Sequence, residues 1–334
     1  MLVKLKDLIT IKNGADYKHL SSGNVPVIGT GGIMLYVNKA LYNKEAILLP
    51  RKGSLNNVMY INTPFWTVDT MFYAIPNCSK VDPKYLYYHL SLINFARYDI
   101  GSTIPSMTAS LYYSLVIDLP PIDMQKKISF VLSLIDNQID RNNTITKRLQ
   151  VLSHNIFLYY FNNSEKKNEK LKNIANMYQP ETIVGSEFVD DGKYYVYGSG
   201  GIIGKYNKYN HEESELMVSC RGKCGNVTLS MPCSWIIGNQ MVIKPYDAQL
   251  KYYLYNYLQI IDLSKVETGS VQKQITRTNL ENIIVPLADD DNLLKLAKVS
   301  IPIHQQLIKL RKANEKLEEL KKKLLPLLIN QHLN

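Results

Sequence analysis

The 334-residue chain lacks most of what an enzyme or a membrane protein would display. No apolar run approaches the roughly 20 residues that cross a bilayer. The opening Met-Leu-Val-Lys-Leu-Lys-Asp has no continuous apolar core of the kind a signal peptide carries. A soluble, cytoplasmic protein with no membrane partner is expected. Cysteine is scarce. Cys220, Cys224 and Cys233 lie close together, but their C-x3-C-x8-C spacing lacks the paired CxxC geometry of structural zinc. His211 could add a ligand, yet small buried hydrophobes in a reducing compartment describe these cysteines better.

Catalytic signatures are missing as well. There is no phosphate loop of the form G-x-x-x-x-G-K-[ST], and no G-x-G-x-x-G dinucleotide turn. No Asp-Pro-Pro-Tyr-like element that could flip and methylate a base is present, and no nuclease-type carboxylate-lysine context. The six histidines are scattered. No metal, cofactor or catalytic residue is therefore expected of this chain.

What the chain has is positive charge and a repeat. The net charge of +10 suits a phosphate-binding surface, because cations that neutralise phosphates release counterions. Abundant Lys, Asn, Ile and Tyr weaken that signal, since this usage is also common in proteins from A+T-rich genomes. The 24 tyrosines could stack on bases, although most suit half-buried strand positions.

The repeat is the stronger feature. VIGTGG at 27–32 returns as VYGSGG at 196–201, with an offset of 169 residues. Each is followed by Asn-Lys, at Asn38-Lys39 and Asn207-Lys208. Arg51-Lys52-Gly53, ending in Asn57-Val58, matches Arg221-Gly222-Lys223, ending in Asn226-Val227. Trp66 matches Trp235, the only two tryptophans. YLYYHL from Tyr85 matches YLYNYL from Tyr253, and Gly101-Ser102 matches Gly269-Ser270, with Thr108 and Thr276 six residues after the serines. Two copies are too few for a solenoid, so a pseudo-twofold pair is expected. Short β-prone stretches mixed with one or two helices make each copy an α+β domain.

A long helix follows each copy. From 122 to about 161 there is neither Pro nor Gly. Ile128, Leu132, Ile135, Ile139, Asn142, Thr146 and Leu149 alternate spacings of four and three, the seam of a coiled coil. Ile303, Leu307, Leu310, Asn314 and Leu317 repeat that spacing, continuing to Leu320 or Lys321 and then Leu324. Asn142 and Asn314 are candidates to set register. A lone helix of about 40 residues would run about 60 Å largely unsupported, so mutual packing is expected. The second copy departs from the first in two ways. An acidic, then amphipathic stretch at 288–300 precedes its helix, and that helix is expected to be shorter, stopping near Pro326. The expected organisation is a first domain at 1–120, a central helix at 121–165, a second domain at 166–300 and a C-terminal helix at 301–334.

With the repeat, the helices and the absent catalysis in view, the chain resembles the specificity subunit of a type I restriction-modification system. The residues that carry the resemblance are VPVIGTGG at 25–32, Arg51-Lys52-Gly53, the run GSTIPSMTASLYYSLVIDLPPIDMQKKI at 101–128, and their weaker second copies. Pro302 with Gln305-Gln306-Leu307 answers the Pro-Pro and Gln125-Lys126-Lys127-Ile128 of the first half. The resemblance spans nearly the whole chain. It implies two target recognition domains separated by two long antiparallel coiled-coil helices. Each domain would read half of a bipartite double-stranded DNA target. Two methyltransferase subunits would dock on the helices, joined in the full complex by a restriction and motor subunit. S-adenosylmethionine and ATP would belong to those partners.

DNA-facing candidates follow from the loops. Arg51, Lys52, Arg221 and Lys223 sit in Gly-containing loops after strands and suit phosphate or guanine. Asn56, Asn57 and Asn226 could read adenine edges. The Gly-Ser loops add Ser102, Thr103 and Ser106 in the first copy, and Ser270, Gln272, Lys273, Gln274 and Arg277 in the second. Two other classes remain open from the residues alone: a DNA-modifying enzyme with diverged motifs, and a coiled-coil adaptor whose heads bind protein.

Overall fold

The computed structural model describes residues 1–99, 105–269 and 272–330. They form two units: Met1–Arg141 together with the segment beginning at Asn314, and Asn142–Ala313.

In the first unit, β1 (Leu2–Lys4), β2 (Ile9–Asn13), β3 (Ser22–Gly29), β4 (Gly32–Val37), β5 (Ala46–Pro50), β6 (Met59–Ile61), β7 (Trp66–Thr67) and β8 (Met71–Pro76) lead to helix α1 (Pro83–Ser91). The short helix α2 (Ala109–Ser114) and β9 (Val116–Asp118) then precede the long α3 (Ile122–Asn162). The strands form a β2-β8-β5-β6 sheet, a β4-β3-β7 sheet and a β1-β9 pair. An unbroken apolar run becomes a central strand here: all five residues of β5 are buried, between β8 and β6. Asp82 caps α1 by accepting a bond from the Tyr85 amide at 2.8 Å, with Pro83 in the first turn.

The second unit repeats this order with β10 (Lys166–Lys170), α4 (Leu171–Ile174), β11 (Ala175–Tyr178), β12 (Tyr194–Gly198), β13 (Gly201–Tyr206) and β14 (Leu216–Ser219). It continues through β15 (Val227–Leu229), β16 (Trp235–Ile236), β17 (Gln240–Pro245), α5 (Leu250–Ile260), β18 (Glu267–Thr268) and β19 (Gln274–Ile275). It ends with α6 (Arg277–Glu281), β20 (Ile284–Ala288) and the long α7 (Asp290–Asn330). Its sheets, β11-β17-β14-β15, β13-β12-β16 and β10-β20, reproduce those of the first unit strand for strand. The α+β duplication is real.

The matched residues have matched duties. Trp66 and Trp235 each open a two-residue strand pairing in parallel with β3 or β12, opposite Val27 and Val196. Their indole N–H groups donate to the Ala15 and Glu181 carbonyls. Thr108 and Thr276 are the N-caps of α2 and α6, each hydroxyl accepting from an amide three residues on at 3.2 Å.

The second long helix differs from expectation. It starts at Asp290 rather than near 301, passes Pro326 and reaches Asn330. Both long helices therefore have 41 residues, and no shortening breaks the symmetry. Asp289 explains the early start: its carboxylate accepts from the Asn292 amide at 3.0 Å, just ahead of the first turn.

Each unit holds part of both long helices. In the first, Ile128 and Leu132 of α3 and Leu328 and Ile329 of α7 join one core with Leu5, Ile47, Tyr85 and Tyr112. In the second, Phe157 of α3 and Leu293 and Leu296 of α7 join a core with Leu171, Val218, Tyr253 and Val285. The early residues of one helix meet the late residues of the other, so the two run antiparallel. Ile135, Ile139 and Asn142 are buried, Leu149 half-buried; Ile303 and Leu310 are buried, while Leu307, Asn314 and Leu317 are half-buried. Asn142 and Asn314 do not occupy equivalent places, because the helices begin 168 residues apart and Asn142 corresponds to Leu310.

The equivalent positions Asp136 and His304 show how the halves diverged. In the first unit the Asp136 carboxylate accepts from Lys321 Nζ at 2.5 Å and from the Tyr88 hydroxyl at 2.6 Å. In the second, neutral His304 lies 3.4 Å from the Ser153 hydroxyl and stacks on Tyr252 at 4.1 Å. Burial, and then the Lys251 charge, hold the His304 imidazole down to about 4. The unfolded chain binds this proton near 6.5, so stability declines as pH falls from about 6.5 to 4, by at most about 1.4 kcal/mol per pH unit. Denaturation midpoints at pH 7 and pH 5 check this. The loss should be clearly smaller for His304→Gln; His211, also held low by burial, accounts for part of the remainder.

Candidate nucleic-acid interface

In the first unit, β5 leads straight into Arg51 and Lys52, whose amides donate to the Thr70 carbonyl at 2.8 and 3.1 Å. Gly53 then turns with φ +87° and donates to the Pro105 carbonyl. Lys52 pairs as a β-bridge with Ser106, and the Met107 amide closes on the Arg51 carbonyl at 2.9 Å. The loop after β5 and the segment after the Gly-Ser loop are thus one structure.

The second unit builds the same pair. Arg221 bridges Gln274, the Ile275 amide donates to the Cys220 carbonyl at 2.9 Å, and Gly222 turns with φ +76°. This corrects the register of the repeat. Lys52-Gly53 is equivalent to Arg221-Gly222, so Arg51 corresponds to buried Cys220, and Lys223 to Ser54. The offset of 169 shared by the VIGTGG turn and the tryptophans gives this alignment, whereas pairing Arg51 with Arg221 shifts it by one.

The side chains divide accordingly. Lys52 and Arg221 are exposed cations on pinned backbone. Arg51 is half-buried, its guanidinium over the Phe72 ring at 5.6 Å and donating to the Asp69 carbonyl at 3.4 Å. Asn56 ties two loops together: its amide nitrogen donates to Asn94 and its oxygen accepts from the Ala96 amide. Asn57 donates to the Thr30 carbonyl at 2.5 Å. Lys223 is exposed; Asn226 is half-buried, with its backbone paired to Ser219. Ser106 is half-buried, its amide held by Asp99 at 2.8 Å. Gln272 and Gln274 are exposed, Lys273 pairs with Glu267 at 3.1 Å, and Arg277 pairs with Glu281 at 2.7 Å. Ser102, Thr103 and Ser270 lie outside the described residues.

Beside the first loop is a concavity of about 490 Å³ lined by Gly53, Asn56, Asn57, Ala96 and Pro105, among others. Sequence reading missed the glycine turn between β3 and β4 as a neighbour of this loop. Asn57 bonds to its Thr30, and a Cβ on Gly53 would lie 3.4 Å from the Thr30 hydroxyl. In the second unit a Cβ on Gly222 would lie 3.0 Å from the Ser199 hydroxyl. Burial pushes the Cys220 and Cys224 thiols up. Among the described residues no group of three or more His, Cys, Asp or Glu could hold a metal ion.

The family described as Type I restriction modification DNA specificity domain matches residues 1–151 and again 163–322. The chain belongs to this family. Both matches take in one of the paired loop structures, so the family's duplication and the geometric one coincide. Among relatives, the MjaX type I restriction enzyme specificity subunit of Methanocaldococcus jannaschii is 26% identical, covering 76% of this chain and 69% of its own length. The MjaVIII specificity subunit of the same organism is 25% identical, over 86% and 79%. A solved type I restriction-modification S subunit from M. genitalium shares the fold, with a TM-score of 0.67 and 17% identity over 98% of this chain and 96% of that one. No described helix of this specificity-domain protein is long and apolar enough to cross a membrane.

Proposed function

We propose that this chain is the non-catalytic DNA-reading subunit of a type I restriction-modification complex. The globular part before α3 reads one half of a bipartite duplex target, and the part before α7 reads the other. The observation that carries this is the duplicated loop pair: Lys52-Gly53 against Ser106, and Arg221-Gly222 against Gln274. An exposed cation on pinned backbone stands at the equivalent place in each unit, as a two-part target requires.

The long helices are the docking surface for two methyltransferase subunits, with a restriction and motor subunit added in the full complex. Large apolar side chains on α3 support this. In the first unit Phe130 is 64% exposed and Leu134 52%; in the second, Val151 is 61% and Tyr159 63%. Such apolar exposure on a folded helix marks a protein interface. A shallow apolar concavity of about 290 Å³ lies beside Tyr159, lined also by Ile156, Tyr160 and Val299. The methyl donor and the nucleotide that drives translocation belong to those subunits.

Methylome sequencing of cells carrying the methyltransferase with and without this gene tests the reading. A bipartite methylated motif should appear only with both. Methylation that is independent of this chain, or at a single undivided site, would overturn it.

A further inference from the structure

Gly31 and Gly200, like Gly185, have no internal reason to be glycine, and of the three only Gly31 and Gly200 recur at matching positions of the two copies. The turn joining β3 to β4 is Thr30-Gly31, followed by Gly32; that joining β12 to β13 is Ser199-Gly200, followed by Gly201. Gly32 and Gly201 have φ +105° and +101°, which side chains rarely adopt. Thr30, Gly31, Ser199 and Gly200 do not have positive φ. That sign pattern fits an ordinary two-residue turn closed by a bulge glycine, and its second position takes most residues. A Cβ on Gly31 or on Gly200 would meet nothing within 4 Å. Neither conformation nor packing within the chain calls for glycine at these two places, yet both copies have it.

The turns also sit beside the loops that carry Lys52 and Arg221. Asn57 donates to the Thr30 carbonyl in the first unit, and in the second a Cβ on Gly222 would lie 3.0 Å from the Ser199 hydroxyl. A duplex held by those cations would pass close to the turn. The two copies differ in the side chains around their loops but keep Gly-x-Gly-Gly in common, at 29–32 and 198–201. An element common to two copies that read separate half-sites fits what every duplex shares, its phosphodiester backbone.

We infer that the Thr30-Gly31-Gly32 and Ser199-Gly200-Gly201 turns are backbone clamps for the DNA phosphodiester. A glycine lets a phosphate oxygen come within hydrogen-bond distance of the turn amides, where a methyl group would hold it off. Phosphate is favoured over a base edge because the turn is common to both halves. This inference rests on the proposed DNA-reading function.

The test uses Gly31→Ala and Gly200→Ala, each in the complex with the methyltransferase, on duplexes with and without the target. Thermal stability of either variant should equal or slightly exceed that of the original chain, since alanine restricts the unfolded state. Affinity should fall roughly tenfold on both duplexes alike, as expected for losing a bond to a charged group. The slope of log affinity against log salt should not change, because no cation is removed. The methylated motif should also be unchanged. A variant that binds within twofold of the original overturns the inference. So does a clear loss of thermal stability, which would give glycine an internal role, and so does an altered motif, which would place the turn on a base. If the unaltered complex shows no preference for a bipartite target, the proposed function falls first, and that result is read before either variant is made.

Discussion

Arg221→Ala is expected to lower affinity for the specific duplex about 5- to 150-fold, the equivalent of losing about 1–3 kcal/mol from one side-chain contact to a base. Its backbone is pinned on both sides, by the bridge to Gln274 and by the positive-φ turn at Gly222, while its side chain is exposed. The backbone needs no further ordering when DNA arrives, so the ordering cost is confined to the side chain. The equivalent residue in the first unit is Lys52. That the two copies differ here fits a position that varies with the half-site. A lysine keeps the charge but not the planar fork that pairs with guanine, so Arg221→Lys should lose nearly as much as Arg221→Ala. In both variants the motif should relax in one half only. Should Arg221→Lys match the original protein in affinity and motif, this position supplies charge alone and does not read a base.

Phe157→Ala should cost about 3–5 kcal/mol of stability, the range for emptying a fully buried aromatic site. The ring is 0% exposed near the end of α3, with Phe161 and Tyr253 both at 5.3 Å between centroids. The loss is large because α3 is part of the second core rather than a connector passing by it. Urea denaturation monitored by circular dichroism measures it. A change below about 1 kcal/mol would show that the second unit folds without the end of α3, contrary to its packing.

Much of this protein was readable in order of residues. Repetition is a one-dimensional signal, and the pair of copies and the two matched tryptophans were legible at an offset near 169. The helical seam was legible too, because apolar spacing of three and four reflects the turn of an α-helix whatever it packs on. Burial of Ile128, Leu132 and Ile303 follows from that spacing. The start of α7 was not legible: the aspartates at 289–291 look like a loop until Asp289 is seen bonding the Asn292 amide. Nor could prolines at 302 and 326 be recognised as helical without the surrounding contacts, since proline inside a helix is unfavourable on local grounds alone.

The interface divides in the same way. Residue type and a nearby glycine marked Arg51, Lys52, Arg221 and Lys223, but only tertiary contacts separated them. Arg51 is drawn onto Phe72, and Asn56 is used up joining loops 38 residues apart in sequence. Lys52 is instead left facing solvent by its bridge to Ser106, 54 positions away. Those pairings are long-range, and no local pattern encodes them. The sequence by itself determined that there are two similar domains, each followed by a long helix, because repetition and periodicity are local properties of the chain. Tertiary structure decided that Arg51 lies on Phe72 while Lys52 faces solvent, and that the end of α7 completes the core of the first unit, far away in sequence. Both depend on which distant groups meet, and that is settled only when the chain closes on itself.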